Sequence, residues 1–278
     1  MSIPKSIIIQ ILMLLSAFGV LYHHTLIKLI SDWSTDPNFS HGFLIPFVAL
    51  FMVWHQQNSL KQIPVQSSKT GIFLIILGML VHIVGNVGSE LFLMRTSMVI
   101  TIAGIVSYYL GNQMLKALII PVCYLMMMIP IPSIIWNKVA FPLQLFAANM
   151  SSQTISLLGI PVFREGNILH LSNTSLEVID ACSGIRSLTS LLALTGALSF
   201  IVPLSSMKKW ILFLSAIPIA IAVNVVRLTI TGGLAAWVGP ETAQGFLHDM
   251  SGLIIFASAL AFVYLIYIIL NKIESKKS

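Results

Sequence analysis

Apolar runs close to the ~20 residues that a helix needs to cross a bilayer recur along the chain, parted by short polar turns. The first occupies residues 6 to 30 after Lys5 and reads IIIQILMLLSAFGVLYHH in its apolar part. It has no convincing small-x-small cleavage site before the polar loop SDWSTDPNFSHG, so a retained span is expected rather than a secretory signal peptide. A short second span, FLIPFVALFMVW, leads to a polar turn carrying Lys61 and Lys69. GIFLIILGMLVHIVGNVG and Leu91 to Leu110 form the third and fourth spans. Residues 116 to 129 form a fifth, which stops at PIPS because Pro130 and Pro132 cannot extend a helix. Three more are expected at about 182 to 203, 210 to 236 and 249 to 270.

The pattern changes between residues 130 and 181. VAFPLQLFAANMSSQTISLLG has the form of a helix lying at the membrane interface, and NILHLSNTSLEVID alternates like two short strands. Arg164, Glu165, Glu177 and Asp180 would be costly in hydrocarbon, which places this insertion in water. The expected fold is an all-α polytopic membrane protein of about eight transmembrane helices. A small extracytoplasmic α/β insertion, residues 130 to 181, precedes helix six. Residues 1 to 278 form one integral membrane domain, with the candidate chemistry on helices six to eight, residues 182 to 271.

Composition agrees with a bilayer location. Hydrophobic residues make up 57% of the chain and charged residues 9%, too few to cover a soluble globule of 278 residues. The net charge of +6 does not point to nucleic acid, because the cations are scattered between apolar runs rather than gathered on one face. They follow the positive-inside rule instead. One orientation leaves Lys5, Lys61, Lys69, Lys116, Lys208, Lys209, Lys272, Lys276 and Lys277 inside, and most carboxylates at the outer edge. Of the two cysteines, Cys123 sits in the apolar run LIIPVCYLMMM and reads as a packed thiol; a bridge to Cys182 stays open.

The stretch LEVIDACSGIRSLTSLL, residues 176 to 192, presents the strongest candidate chemistry. Asp180 can cap a helix whose first turn carries Cys182 and whose next turn carries Arg186. Unpaired backbone N–H groups there favour a thiolate. Two further polar residues interrupt apolar segments, Arg227 in NVVRLTITGG and His248 in GFLHDMSG. Arg227 lies 18 residues beyond Lys209, which at ~1.5 Å per residue puts it ~27 Å above the inner boundary of a ~30 Å core. Cys182 opens span six and His248 precedes span eight at the same outer surface, so the three can meet. Gly232, Gly233, Ser187 and Ser190 would permit close approach of spans six and seven.

A thiolate can attack a peptide carbonyl, and an imidazole can accept the thiol proton and return it to the leaving amine. A guanidinium can stabilise the oxyanion but cannot act as the base. Each residue also has a structural reading. Cys182 can be packing, Arg227 one half of an ion pair, Arg186 a snorkelling cation and His248 a helix cap. A carrier or channel using Arg227 as substrate counter-ion is the alternative class. No CxxC, HExxH or Gly-rich phosphate loop occurs, so no metal or cofactor is expected.

ACSGIRSL at 181 to 188, NVVRLTITGGLA at 224 to 235, FLHDMSGLIIF at 246 to 256 and DPNFSHGFLIP at 36 to 46 together resemble the exosortase family of bacterial membrane proteins, relatives of the archaeosortases. The resemblance implies a multi-pass cysteine protease or transpeptidase of the inner membrane, with its active site facing the periplasm. Its substrates would be membrane-anchored proteins with a PEP-CTERM-type C-terminal sorting signal, made of a short Pro-Glu-Pro motif, a transmembrane helix and a basic tail. Carried over to this sequence, the nucleophile is Cys182, the catalytic arginine Arg227 and the third member His248. Archaeosortases are expected to carry arginine at the last position, so His248 favours the bacterial branch. Arg186, Asn224, Arg164 and Asp180 are assigned supporting or substrate-binding roles. Partners beyond the bilayer and these substrates are not implied, and the oligomeric state is left open.

Overall fold

The computed structural model describes residues 5–178, 185–239 and 246–275. The chain divides into two compact units, Met1–Pro130 and Ile131–Ser278.

The first unit holds α1 (Lys5–Thr35), α2 (Ile45–His55), α3 (Gln57–Leu60), α4 (Lys69–Val87), α5 (Leu91–Leu110) and α6 (Asn112–Tyr124), with 3-10 turns at Ser40–Phe43 and Leu125–Met128. Its centre is the hairpin of α4 and α5. Gly71, Gly78 and Gly85 recur every seven residues on α4 and face α5, so the two backbones come into direct contact. A Cβ at Gly71 would fall on the backbone of Tyr108, and one at Gly85 would lie 2.8 Å from Met94 N. Tyr22 on α1 reaches the same hairpin, its hydroxyl 2.8 Å from Thr101 Oγ1. Trp33, one turn from the end of α1, donates from Nε1 to the carbonyl of Met128 at 2.8 Å.

Arg95 is 2% exposed on α5 and pairs with Asp32 of α1. Breaking one half of such a buried pair costs far more than the pair itself contributes. The pair holds α5 against α1.

His41 belongs to the polar turn between α1 and α2. Burial lowers its pKa, outweighing the hydrogen bond between Nε2 and the Met127 carbonyl at 3.3 Å. The unfolded chain then takes up a proton more readily than the folded one as the pH falls. The stability contributed by neutral His41 is complete above ~6.5, the usual histidine value, and is lost as the pH falls through the lower folded value. Thermal unfolding in detergent at pH 7.5 and at pH 5 should show a larger drop in midpoint for wild type than for His41→Gln; parallel drops would remove His41 from this role.

The second unit contains α7 (Ser133–Leu157), a three-stranded antiparallel sheet of β1 (Val162–Glu165), β2 (Ile168–Leu171) and β3 (Ser175–Glu177) in that order, then α8 (Ile185–Ile201), α9 (Ser206–Trp237) and α10 (Phe246–Ser275). The β1–β2 turn needs only Gly166 and Asn167, with Gly166 in the left-handed region at φ 60°. Alternation along β2 buries Leu169 and Leu171 against α7 and α9. The sequence predicts two strands here and the structure has three. β1 escapes the alternation rule because Phe163, Arg164 and Glu165 are all exposed, although the Gly-Asn pair beside it was a hairpin signal.

Five described helices are long and apolar enough to cross a membrane, or six if the helices on either side of Pro130 count as one broken span. About eight spans were expected, the second of them short. The difference lies in α2, α8 and, unless it is joined to α7, α6, of 11, 17 and 13 residues; α2 reaches only ~17 Å against a ~30 Å core. Pro132 caps the start of α7, so the prolines that end one helix also open the next. Helices α7 and α9 run on through Pro142 and Pro218.

Candidate active site

Helix α9 organises the second unit, packing against α7, α8 and α10. Two apolar clusters divide its length. Leu212, Ala216, Ala220 and Val223 join Leu191 of α8 with Ala259, Val263 and Leu270 of α10. Leu228 and Ala235 instead join Ala147, Ala148 and Ile155 of α7, Leu169 and Leu171 of β2, and Val178. Asn224 and Arg227 lie where one cluster gives way to the other, on one face at i, i+3 spacing. They are 3% and 8% exposed. Each has a polar or electrostatic partner. Arg227 stands 10 residues before the end of α9, ~15 Å along the axis.

Small residues admit this packing in a different place from the one expected. Gly232 lies against Ile155 of α7 and Leu176 of β3, where an added Cβ would come within 2.7 Å of Ile155 Cδ1. Gly233 faces Trp237 and Ile160. The space at these two glycines is therefore taken by α7, the sheet layer and Trp237 of α9 itself, while α8 packs against α9 through Leu191. Ser151 of α7 adds a hydrogen bond to the Val225 carbonyl at 3.5 Å.

The remaining sequence-derived candidates fall at several points. Cys182 and Asp180 lie outside the described residues. The chain enters that stretch at Val178, which is fully buried in the α7–α9 cluster and is held by Asn167, whose Nδ2 donates to the Val178 carbonyl at 3.2 Å. It leaves into α8 at Ile185. Arg186 is half-buried at the start of α8 and is partnered. Arg164 is exposed on β1, its guanidinium donating to the Gly166 carbonyl at 2.8 Å. Of His248 only the helical backbone is described. It falls in the first turn of α10, which begins at Phe246 rather than at Asp249. Among the described residues no group of three or more His, Cys, Asp or Glu is arranged to hold a metal ion.

A helical protein with several helices long and apolar enough to cross a membrane, a small antiparallel sheet and a buried arginine in the C-terminal half of its longest described helix belongs among the multi-pass membrane proteins. A family model described as transmembrane exosortase matches residues 33–265, and the chain belongs to that family. No curated protein and no solved structure matches it.

Proposed function

We propose that this exosortase family member is a membrane cysteine protease or transpeptidase that removes PEP-CTERM-type sorting tails at the periplasmic face of the inner membrane. Cys182 attacks the scissile carbonyl as a thiolate, forming a C–S bond, while His248 takes the thiol proton. Arg227 stabilises the oxyanion or the substrate backbone. Collapse of the tetrahedral species breaks the C–N bond, and His248 returns the proton to the departing amine of the tail. Water or a second amine then resolves the thioester, giving hydrolysis or transpeptidation.

One observation carries this reading. Arg227 is buried beside Leu228, and Leu228 shares a packed cluster with Val178. Three residues separate Val178 from Cys182, four Cα–Cα steps that reach at most ~14 Å. Asn224, one turn before Arg227, orients the guanidinium in this scheme, and Arg186 and Asp180 flank the nucleophile. The sorting helix of a client lies beside α8 to α10, with its basic tail inside and its scissile motif just beyond the bilayer. The direct test is processing of a tail-bearing client by purified protein in vesicles. A carrier using Arg227 as counter-ion is the competing reading, because an intramembrane cation also suits a substrate pathway; solute flux insensitive to Cys182→Ser, with no client cleavage, would favour it.

The exposed edge of the sheet gives the extended motif a strand to pair with, and Arg164 supplies a cation for its glutamate. Arg164 is exposed and bonds only to its own turn among the contacts described, so Arg164→Ala should leave unfolding unchanged. Its KM for the client should rise roughly two- to fivefold, the size of one exposed charged contact, with kcat little altered. An unchanged KM and unchanged client capture would remove Arg164 from the substrate groove.

A further inference from the structure

The first unit contains a cavity of about 480 Å³ between residues 21–28 of α1, the end of α4 and the start of α5. His23, His24, Thr25 and Lys28 line it from α1, and His82 and Asn86 from α4. Among the described residues no aspartate or glutamate lines it, although Glu90 lies between the lining residues Ser89 and Leu91. His23 engages the Val20 carbonyl through Nδ1 at 2.9 Å and stacks on His24 with ring centroids 4.9 Å apart. His82 contacts Ser97 Oγ through Nδ1 at 3.4 Å. The Nε2 atoms of His23 and His82 have no partner among the described residues, and neither has the Lys28 ammonium. The nearest carboxylate along α1, Asp32, is taken by Arg95.

His23, His24 and Lys28 are exposed and His82 is half-buried. An ammonium and imidazole N–H groups around one cavity, with no acidic residue among those that line it, suit an oxyanion.

The surroundings decide its source. Lys28 stands seven residues before the end of α1 and His82 five before the end of α4, ~10 Å and ~8 Å along their axes. On the orientation that the lysines favour this is the outer headgroup region, where the positive-inside rule leaves few cations. Val20, Ile83 and Val84, on the adjoining turns, are exposed and apolar. Phosphate is the shared chemistry of a lipid headgroup and of the free ion, but only a lipid would use these apolar flanks. We infer that this cavity binds the phosphate of an anionic phospholipid of the outer leaflet. The site belongs to the first unit alone and stands whether or not Cys182 is the nucleophile.

The test uses the full chain in nanodiscs of phosphatidylcholine with a minor fraction of phosphatidylglycerol, with the retained lipid counted by native mass spectrometry. Wild type should retain phosphatidylglycerol in preference to phosphatidylcholine. Lys28→Ala should reduce that retention ~5-fold, the effect of one cation near a charged headgroup, and Lys61→Ala should not. Equal retention by wild type and Lys28→Ala, or no preference for the anionic lipid, would overturn the proposal. Displacement of the bound lipid by excess inorganic phosphate as complete as that by added phosphatidylglycerol would assign the site to the free ion instead.

Discussion

Cys182→Ala, expressed with a client bearing the tripartite tail, is expected to leave that client at full length, with cleavage reduced at least ~10³-fold. The size follows from chemistry rather than packing. Without sulfur no thioester forms, and neither imidazole nor guanidinium can replace it as the attacking atom. Cys182→Ser should fail almost as completely, because a neutral hydroxyl is a far weaker nucleophile than a thiolate. If Cys182 were only a packed thiol, the same substitution would shift stability modestly and leave processing intact. The mass of the client's C-terminus in membranes, normalised to the amount of folded enzyme, separates the two outcomes.

Replacement of Arg227 should produce the next largest loss. Arg227 is 8% exposed and takes part in a polar or electrostatic interaction, so Arg227→Ala would disturb a buried position as well as remove the proposed oxyanion donor. That confounds catalysis with stability, since breaking a buried charged contact costs about 3–5 kcal/mol. Arg227→Gln is more informative, because it leaves a shorter but still hydrogen-bonding side chain while removing the charge. We expect kcat to fall ~10²–10³-fold, the range for loss of one oxyanion donor, with an unfolding midpoint close to wild type. Arg227→Lys should not rescue, because an ammonium lacks the planar fork. Wild-type turnover by a folded Arg227→Gln protein would reduce Arg227 to a structural cation.

Much of this architecture was legible before any coordinates. Apolar runs give α4, α5, α9 and α10 because hydrocarbon demands both length and low charge, and those two properties are linear in sequence. FLIPFVALFMVW reads as a short span, and its helix does end after 11 residues at His55, where polar Gln56 and Gln57 follow. The seven-residue glycine spacing of α4 was readable, but its meaning depends on which helix comes to face it. Arg227 stood out because a cation in an apolar segment is expensive anywhere in a membrane. Arg95 carries the same signal, and only the tertiary contact with Asp32 identifies it as an ion-paired residue. The role of Gly232 was misjudged for a similar reason, since the small residue was visible and its neighbour, Ile155, was not. His23, His24 and Lys28 drew no attention in the sequence because their common cavity exists only once α4 and α5 close on α1.

The most direct measurement is the intact mass of the protein after brief incubation with a tail peptide and acid quenching. An added mass equal to the acyl portion of the peptide, localised to Cys182, released by hydroxylamine and missing from Cys182→Ala, is the predicted result. Peptide cleavage at the same rate by wild type and Cys182→Ala, with no adduct on either, would contradict the account.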